Sequence, residues 1–193
     1  MPFKEQYKSD VGLAECPYPD QAPGRITGIY GTSTRATHQT INLEFAGTIW
    51  TEHLYPIFAD RQNLSADREE FDDFLISRML LLRQTLYNNH RGDFGISQKI
   101  INLFLKDLWA FDELPKLVEL NLHAPLDQIV LGKIKSCPAT WEAWTRATST
   151  DQKTVLDYLR IQKALRRLCA DTLGFHMLIE MEQFIWHRIP LSH

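Results

Sequence analysis

The stretch from Ile96 to Trp109, ISQKIINLFLKDLW, contains the strongest fold signal in the chain. In a helical projection its apolar residues cover most of the circumference, while Lys99, Asn102 and Lys106 share the one remaining stripe. A helix that is apolar nearly all round is normally buried. The sequence therefore predicts a central helix over about residues 97–111, with two lysines that face either solvent or a cleft.

Helical spacing continues on both sides of this stretch. From residue 42 to about residue 190 the apolar residues recur at helical intervals, and no strand pattern of weight interrupts them. Residues 1–40 are instead rich in Pro, Gly, Ser and Thr, which is typical of irregular structure with turns. We therefore predict an all-α protein, with a single helical domain at residues 41–193 and an irregular N-terminal arm at 1–40 that includes a short strand near residues 25–30.

Composition narrows the classes of function. The chain has 193 residues, 44% of them hydrophobic, and a net charge of −3, which fits a folded domain without a global positive field. Its three cysteines, Cys16, Cys137 and Cys169, are widely spaced, which argues against a disulfide framework and a cysteine-built zinc site. The absence of a long apolar run or an apolar leader predicts a cytoplasmic protein without a membrane partner.

Lys99 and Asp127 are the candidate reactive residues. A lysine held in a dry cleft loses its proton more readily and can act as a nucleophile or form a Schiff base, whereas a lysine on an open face is merely solvated. In HAPLDQIVL, Pro125 predicts a helix start that places Asp127 in the first turn. There the carboxylate is either a simple cap or an ionised group held near an electrophilic carbon.

Two further groups carry possible binding residues. In the C-terminal stretch GFHMLIEMEQFIWHRI, His176, Glu180, Gln183 and His187 share one helix face, and a metal site there is one interpretation. Glu182 lies off that stripe and could point into a cleft. Basic residues form either a phosphate-binding patch or a solvated face. They are Arg160, Lys163, Arg166 and Arg167 in one helix, and Lys133 and Lys135 after the aspartate segment.

The segments QKIINLFLKDLW, HAPLDQIVL and FHMLIEMEQFIW together resemble the helix-hairpin-helix DNA glycosylases, and most closely the archaeal-type 8-oxoguanine DNA glycosylases. The resemblance covers roughly residues 75–190. The loop NNHRGDFG stands where the wider superfamily has a Leu-Pro-Gly-Val-Gly-like hairpin. The resemblance implies that Lys99 is the nucleophile and that Asp127 assists it. It also implies that Lys106 matches the second lysine of the family's helix and contacts the DNA.

The resemblance also implies a substrate and a mechanism. The enzyme would bind double-stranded DNA, flip out an oxidised purine and attack the sugar with the lysine amine, without a cofactor. The implied base pocket contains Glu180, Glu182, Phe184, Trp186 and Trp109. Trp141 and Trp144 are further aromatic residues that could stack on a base. Each of these four tryptophans, and Phe184, could instead pack in the core.

Two other classes of function fit the same residues. One is a non-catalytic relative that keeps the helical fold and binds nucleic acid or protein. The other is a small metal-dependent protein that uses His176, Glu180 and His187. A shared cleft for Lys99 and Asp127 would favour the enzyme over both.

Overall fold

The computed structural model describes residues 3–33, 40–90, 92–133, 152–172 and 174–187. Over these residues the chain is helical and contains no β-strand, so the all-α prediction is confirmed. The helices are α1 Phe3–Val11, α2 Ala22–Ser33, α3 Leu43–Ile49, α4 Tyr55–Ala59, α5 Arg68–Asn88, α6 Phe94–Ala110, α7 Lys116–Glu119, α8 Gln128–Leu131, α9 Gln152–Ala170 and α10 Leu178–Trp186. A π-helical turn, Trp50–Leu54, joins α3 to α4. None of the described helices is long and apolar enough to cross a membrane.

Helix α6 is the centre of the fold, as its sequence predicts. It packs against α1, α2 and α5, and all but two of its residues are buried. Its N-terminal residue Phe94 donates its backbone N–H to the carboxylate of Asp93, the N-cap. Lys99 and Leu103 are the two partly exposed residues, and they lie one turn apart. The opening that they face is therefore a gap in an otherwise closed shell around α6.

The N-terminal segment corrects the sequence prediction of an irregular arm. Residues 3–11 and 22–33 form α1 and α2, including the region where a short strand was expected. Tyr7, Ile26 and Tyr30 are buried in the same hydrophobic core as α6. Pro17 and Pro19 lie in the non-helical segment between the two helices. Pro23 and the three glycines of α2 lie within a helix, where tertiary packing overrides their low helix propensity.

A buried carboxylate on α6 fixes these N-terminal helices in place. Asp107 is fully buried and accepts hydrogen bonds from Tyr7 Oη at 2.7 Å and Tyr18 Oη at 2.8 Å. Arg25 of α2 donates to both carboxylate oxygens from Nε and Nη2, each at 2.8 Å. Burial opposes the charge on Arg25, but the hydrogen bonds to Asp107 and its charge hold the pKa of Arg25 above its usual range. One residue of α6 thereby anchors α1, α2 and the segment between them.

A second buried network lies between α5, α6 and α9. His123 places Nε2 2.7 Å from Asp72 Oδ1 and Nδ1 2.7 Å from Tyr158 Oη. Because an ionised carboxylate only accepts, Nε2 carries the proton and Nδ1 accepts from Tyr158. Asn102 of α6 donates to Tyr158 Oη at 2.9 Å, so this residue belongs to the network and not to the lysine side of the helix. The predicted polar stripe of α6 is therefore divided between two environments.

This histidine network predicts a loss of stability in mild acid. Burial lowers the pKa of His123 despite the opposing effect of its hydrogen bond to Asp72. In the unfolded chain the pKa of a histidine is about 6.5. As pH falls through that value the unfolded chain takes up a proton that the folded chain refuses, so the free energy of unfolding decreases. The slope for one proton is at most about 1.4 kcal/mol per pH unit.

Urea unfolding curves between pH 7.5 and 5 would measure this effect. The variant His123→Gln should show a shallower pH dependence than the wild type, while His176→Gln, an exposed control, should keep the wild-type slope. His53, whose pKa burial also lowers, contributes in the same direction in all three proteins. Equal slopes for the wild type and His123→Gln would show that His123 is not the titrating group.

Candidate functional site: a cavity lined by two lysines

A cavity of about 530 Å³ lies beside α6, at the gap where Lys99 and Leu103 are partly exposed. Five helices or their flanking residues contribute to its wall. The residues that line it are Tyr7, Asp10 and Val11 from α1; Arg25, Gly28 and Ile29 from α2; Lys99, Leu103 and Lys106 from α6; Pro125, Asp127 and Ile129 at α8; and Glu182, Gln183 and Trp186 from α10. The volume falls in the range of small-molecule sites in proteins.

Lys99 and Asp127 line this one cavity although 28 positions separate them in the sequence. Lys99 reaches it from the second turn of α6. Asp127 is the N-cap of α8, and its carboxylate accepts a hydrogen bond from the backbone N–H of Val130 at 2.9 Å. The predicted place of Asp127 was a first turn opened by Pro125, whereas α8 begins at Gln128 and Asp127 precedes it. Asp127 therefore combines the capping role with a place on the cavity wall.

The inner wall of the cavity holds a buried ion pair. The ammonium of Lys106 donates a hydrogen bond to Glu182 Oε2 and another to Gln183 Oε1 at 2.7 Å, and it lies 4.7 Å from the centre of the Tyr7 ring. Burial raises the pKa of Glu182 against the lowering effect of Lys106, and the negative charge of Asp127 raises it further. Lys99 acts in the opposite direction on the same carboxyl. These four charged groups therefore share one electrostatic environment.

The structure separates the predicted base-pocket residues into two groups. Glu182 and Trp186 line the cavity, and Trp186 is about half exposed. Glu180 instead caps α10 by accepting from the backbone N–H of His176 and Met177, and Phe184 packs its ring on Phe175. Glu180 and Phe184 do not belong to the cavity wall.

Trp109 is a clear correction to the predicted base pocket. Its side chain is fully buried in the core, so no ligand can stack on it. The heavily apolar sequence around it already favoured core packing. The predictions for Trp141 and Trp144 fall outside the described residues.

The predicted phosphate-binding residues are also divided. Arg160, Lys163 and Arg167 are exposed on α9, and Lys133 is exposed just after α8. Lys106 is buried in the cavity wall and bonded to Glu182, so it is not part of an exposed phosphate-binding patch. The position of Lys135 lies outside the described residues.

Arg166 also differs from its predicted place in the phosphate-binding patch. Its guanidinium donates to the backbone oxygen of Asn121 at 3.0 Å and lies 3.7 Å from Asp72. The side chain is largely covered, because Arg166 lies at the edge of the buried face of α9, beside Leu165 and Cys169. Arg166 is thus a structural residue that connects α9 to the His123 network.

The metal-site interpretation is not supported by the arrangement of the side chains. Within the described part of the chain, no group of three or more His, Cys, Asp or Glu residues could hold a metal ion. Glu180 is occupied as a helix cap, and His187 instead lies 2.7 Å from Asp10 Oδ2.

Sequence patterns do not reveal that α1 and α2 supply a large part of the cavity wall. Tyr7, Asp10 and Arg25 occur in a segment with no evident helical signal, and Tyr7 and Arg25 are bonded to Asp107. Comparisons of the chain with protein-family models, with curated proteins and with solved structures each found no match. The function of the cavity must therefore be inferred from its own residues.

Proposed function

We propose that this protein is a DNA glycosylase with abasic-site lyase activity, which removes an oxidised purine by Schiff-base chemistry at Lys99. The observation that carries the proposal is the convergence of Lys99 and Asp127 on one cavity of about 530 Å³. A lysine stripe that faced open solvent would have argued for a binding protein instead. Lys99 is partly exposed at the cavity while most of the surrounding helix is buried, so its amine lies where a bound nucleoside would meet it.

The proposed reaction assigns a separate task to each group. The Lys99 amine attacks the anomeric carbon of the damaged nucleoside, the glycosidic bond breaks, and the base leaves with its electron pair and a proton. The ionised carboxylate of Asp127 offsets positive charge that develops on the sugar. The resulting Schiff base between Lys99 and the opened sugar then permits β-elimination of the 3′ phosphate.

The remaining cavity residues suit a flipped, planar base. The half-exposed indole of Trp186 offers a stacking face at the wall, and the Lys106–Glu182–Gln183 group offers donors and acceptors to the base edge. Arg25 and Lys106 are already paired with Asp107 and Glu182, which favours a neutral base over a phosphate as the group that enters. The exposed cations of α9 and Lys133 are proposed to contact the DNA backbone outside the cavity.

Borohydride trapping tests the proposal directly. The wild-type protein is incubated with duplex DNA that contains 8-oxoguanine, and with an abasic-site duplex, in the presence of the reductant. A covalent protein–DNA adduct is expected on both, and mass spectrometry should place it on the peptide that contains Lys99. If a folded protein gives no adduct on either duplex, the lyase mechanism is wrong and a non-catalytic binding function becomes the better explanation.

Asp127→Asn is expected to lower base excision without unfolding the protein. Asparagine caps helices about as well as aspartate, so the free energy of unfolding should change by less than about 0.5 kcal/mol. The lost negative charge should reduce single-turnover excision by about a hundredfold. Excision rates on the 8-oxoguanine duplex and thermal melting would measure the two quantities separately.

The chain provides a matched control for this variant. Asp67 is the N-cap of α5 and accepts from the backbone N–H groups of Glu69 at 2.9 Å and Glu70 at 3.1 Å. It does not line the cavity. Asp67→Asn should therefore keep the wild-type excision rate. Equal rates for both variants and the wild type would remove Asp127 from the mechanism.

A further inference from the structure

The cavity wall contains a hydrogen-bonded chain that the proposed chemistry does not require. It runs from the buried ammonium of Lys106 through the amide of Gln183 to the carboxylate of Asp10, and from Asp10 to His187. The buried fraction decreases along this path: Lys106 is 2% exposed and Gln183 3%, while the His187 side chain is 31% exposed. The chain thus connects the inside of the cavity with the surface.

The polarity of the Gln183 amide is fixed by its two neighbours. Lys106 can only donate, so the amide oxygen must face it, at 2.7 Å. Asp10 accepts with its carboxylate, so the amide nitrogen must face Asp10 Oδ2. A flipped amide would place a donor against a donor on one side and an acceptor against an acceptor on the other. Gln183 therefore has one satisfied orientation.

This amide connects two parts of the wall that are far apart in sequence. Asp10 belongs to α1, which packs on α10. Asp10 Oδ2 also lies 2.7 Å from Nε2 of His187, the residue that follows the end of α10. Lys106 belongs to α6 and is also bonded to Glu182, the neighbour of Gln183 on α10. The same side chain thus holds α1 against α10 and holds the Lys106 ammonium beside Glu182.

We propose that Gln183 is a positioning residue of the cavity, which sets Lys106 and Glu182 in place through its link to Asp10. The inference rests on the lysine chemistry proposed for Lys99. Small displacements of groups that position a substrate reduce reaction rates strongly, so the effect of Gln183 should be on the rate of adduct formation more than on DNA affinity.

A polarity exchange between two residues tests this role. In Gln183→Glu a carboxylate oxygen replaces the amide nitrogen that faced Asp10, so two carboxylates meet where the hydrogen bond was. The rate of borohydride-trapped adduct formation should fall by about tenfold or more, with the Kd for an abasic duplex changed by less than about threefold. In Asp10→Asn alone the amide oxygen can still accept from Gln183, so the rate should fall less than in Gln183→Glu.

Combining the two changes should restore function. In the Asp10→Asn/Gln183→Glu protein the donor and acceptor are exchanged. The new amide on α1 donates to the new carboxylate on α10, and that carboxylate still accepts from Lys106. We expect an adduct rate within about threefold of wild type, well above that of Gln183→Glu alone. Gln84→Glu, which makes the same change on the exposed face of α5, is the control and should behave as wild type.

A spectroscopic measurement separates this inference from the proposed function. The ¹⁵Nζ resonance of Lys106, assigned by its loss in Lys106→Gln, should shift or broaden in Gln183→Glu and return in the double variant. If the wild type forms no adduct, the glycosylase proposal fails while this resonance still tests the positioning of Lys106. Wild-type rates and an unchanged Lys106 signal in Gln183→Glu would overturn the inference. If Gln183→Glu does not fold, a folded double variant that lacks the Lys106 signal would overturn it equally.

Discussion

Lys99→Gln is expected to abolish the borohydride-trapped adduct on both the 8-oxoguanine and the abasic duplex. Glutamine keeps most of the side-chain stem but has no amine, so it cannot form a Schiff base. Single-turnover excision should fall by about a thousandfold or more, the scale on which loss of a nucleophile acts. Because Lys99 is partly exposed at the cavity, the free energy of unfolding should change by less than about 0.5 kcal/mol.

A surface lysine supplies the control for this prediction. Lys153 lies at the start of α9 with its side chain 78% exposed, in an i,i+4 pair with Asp157. Like Lys99→Gln, Lys153→Gln removes one positive charge and one amine. Nonspecific effects of charge on DNA binding would therefore appear in both variants. Full trapping by Lys153→Gln with none by Lys99→Gln would assign the chemistry to one residue. An undiminished adduct in Lys99→Gln would show that another amine reacts.

The central helix and the helix start near Asp127 could be anticipated because both rest on local patterns. The near-continuous apolar surface of α6 requires burial on all sides, and a lysine in such a helix must either snorkel or line an opening. The segment around Pro125 and Asp127 predicts a helix start. That Lys99 and Asp127 line one cavity is a tertiary fact, which no local pattern predicts.

The N-terminal helices could not be anticipated from the same patterns. In α2 the sequence APGRITGIYGTS has low helix propensity. Its packing on α3 and α6 and the bonds from Arg25 to Asp107 stabilise the helix instead. Arg25 and Tyr7 contact Asp107 across 82 and 100 residues of sequence. For the same reason the burial of Lys106 could not be foreseen, since its partners Glu182 and Gln183 follow it by 76 and 77 residues.

Asp107→Asn is expected to cause the largest loss of stability among these variants. The carboxylate is fully buried and receives two hydrogen bonds from Arg25, one from Tyr7 and one from Tyr18. An amide in its place leaves the guanidinium of Arg25 largely buried without a counter-charge. The new NH2 group also faces a donor where a carboxylate oxygen accepted a hydrogen bond. Breaking a buried pair by removing one partner costs about 3–5 kcal/mol. Urea unfolding at neutral pH would measure this loss, with Asp73→Asn on the exposed face of α5 as the control.

Removing Arg25 as well tests whether the loss of stability in Asp107→Asn comes from an unpaired cation. In Asp107→Asn/Arg25→Met the buried guanidinium is gone, while the new amide on α6 can still accept from one tyrosine hydroxyl and donate to the other. The double variant should therefore be more stable than Asp107→Asn alone, by about 1 kcal/mol or more, although it carries one more substitution. If the two losses simply add, the energy of the anchor lies in packing. Recovery in the double variant would instead show that Asp107 keeps α1 and α2, and with them a large part of the cavity wall, in place by balancing a buried charge.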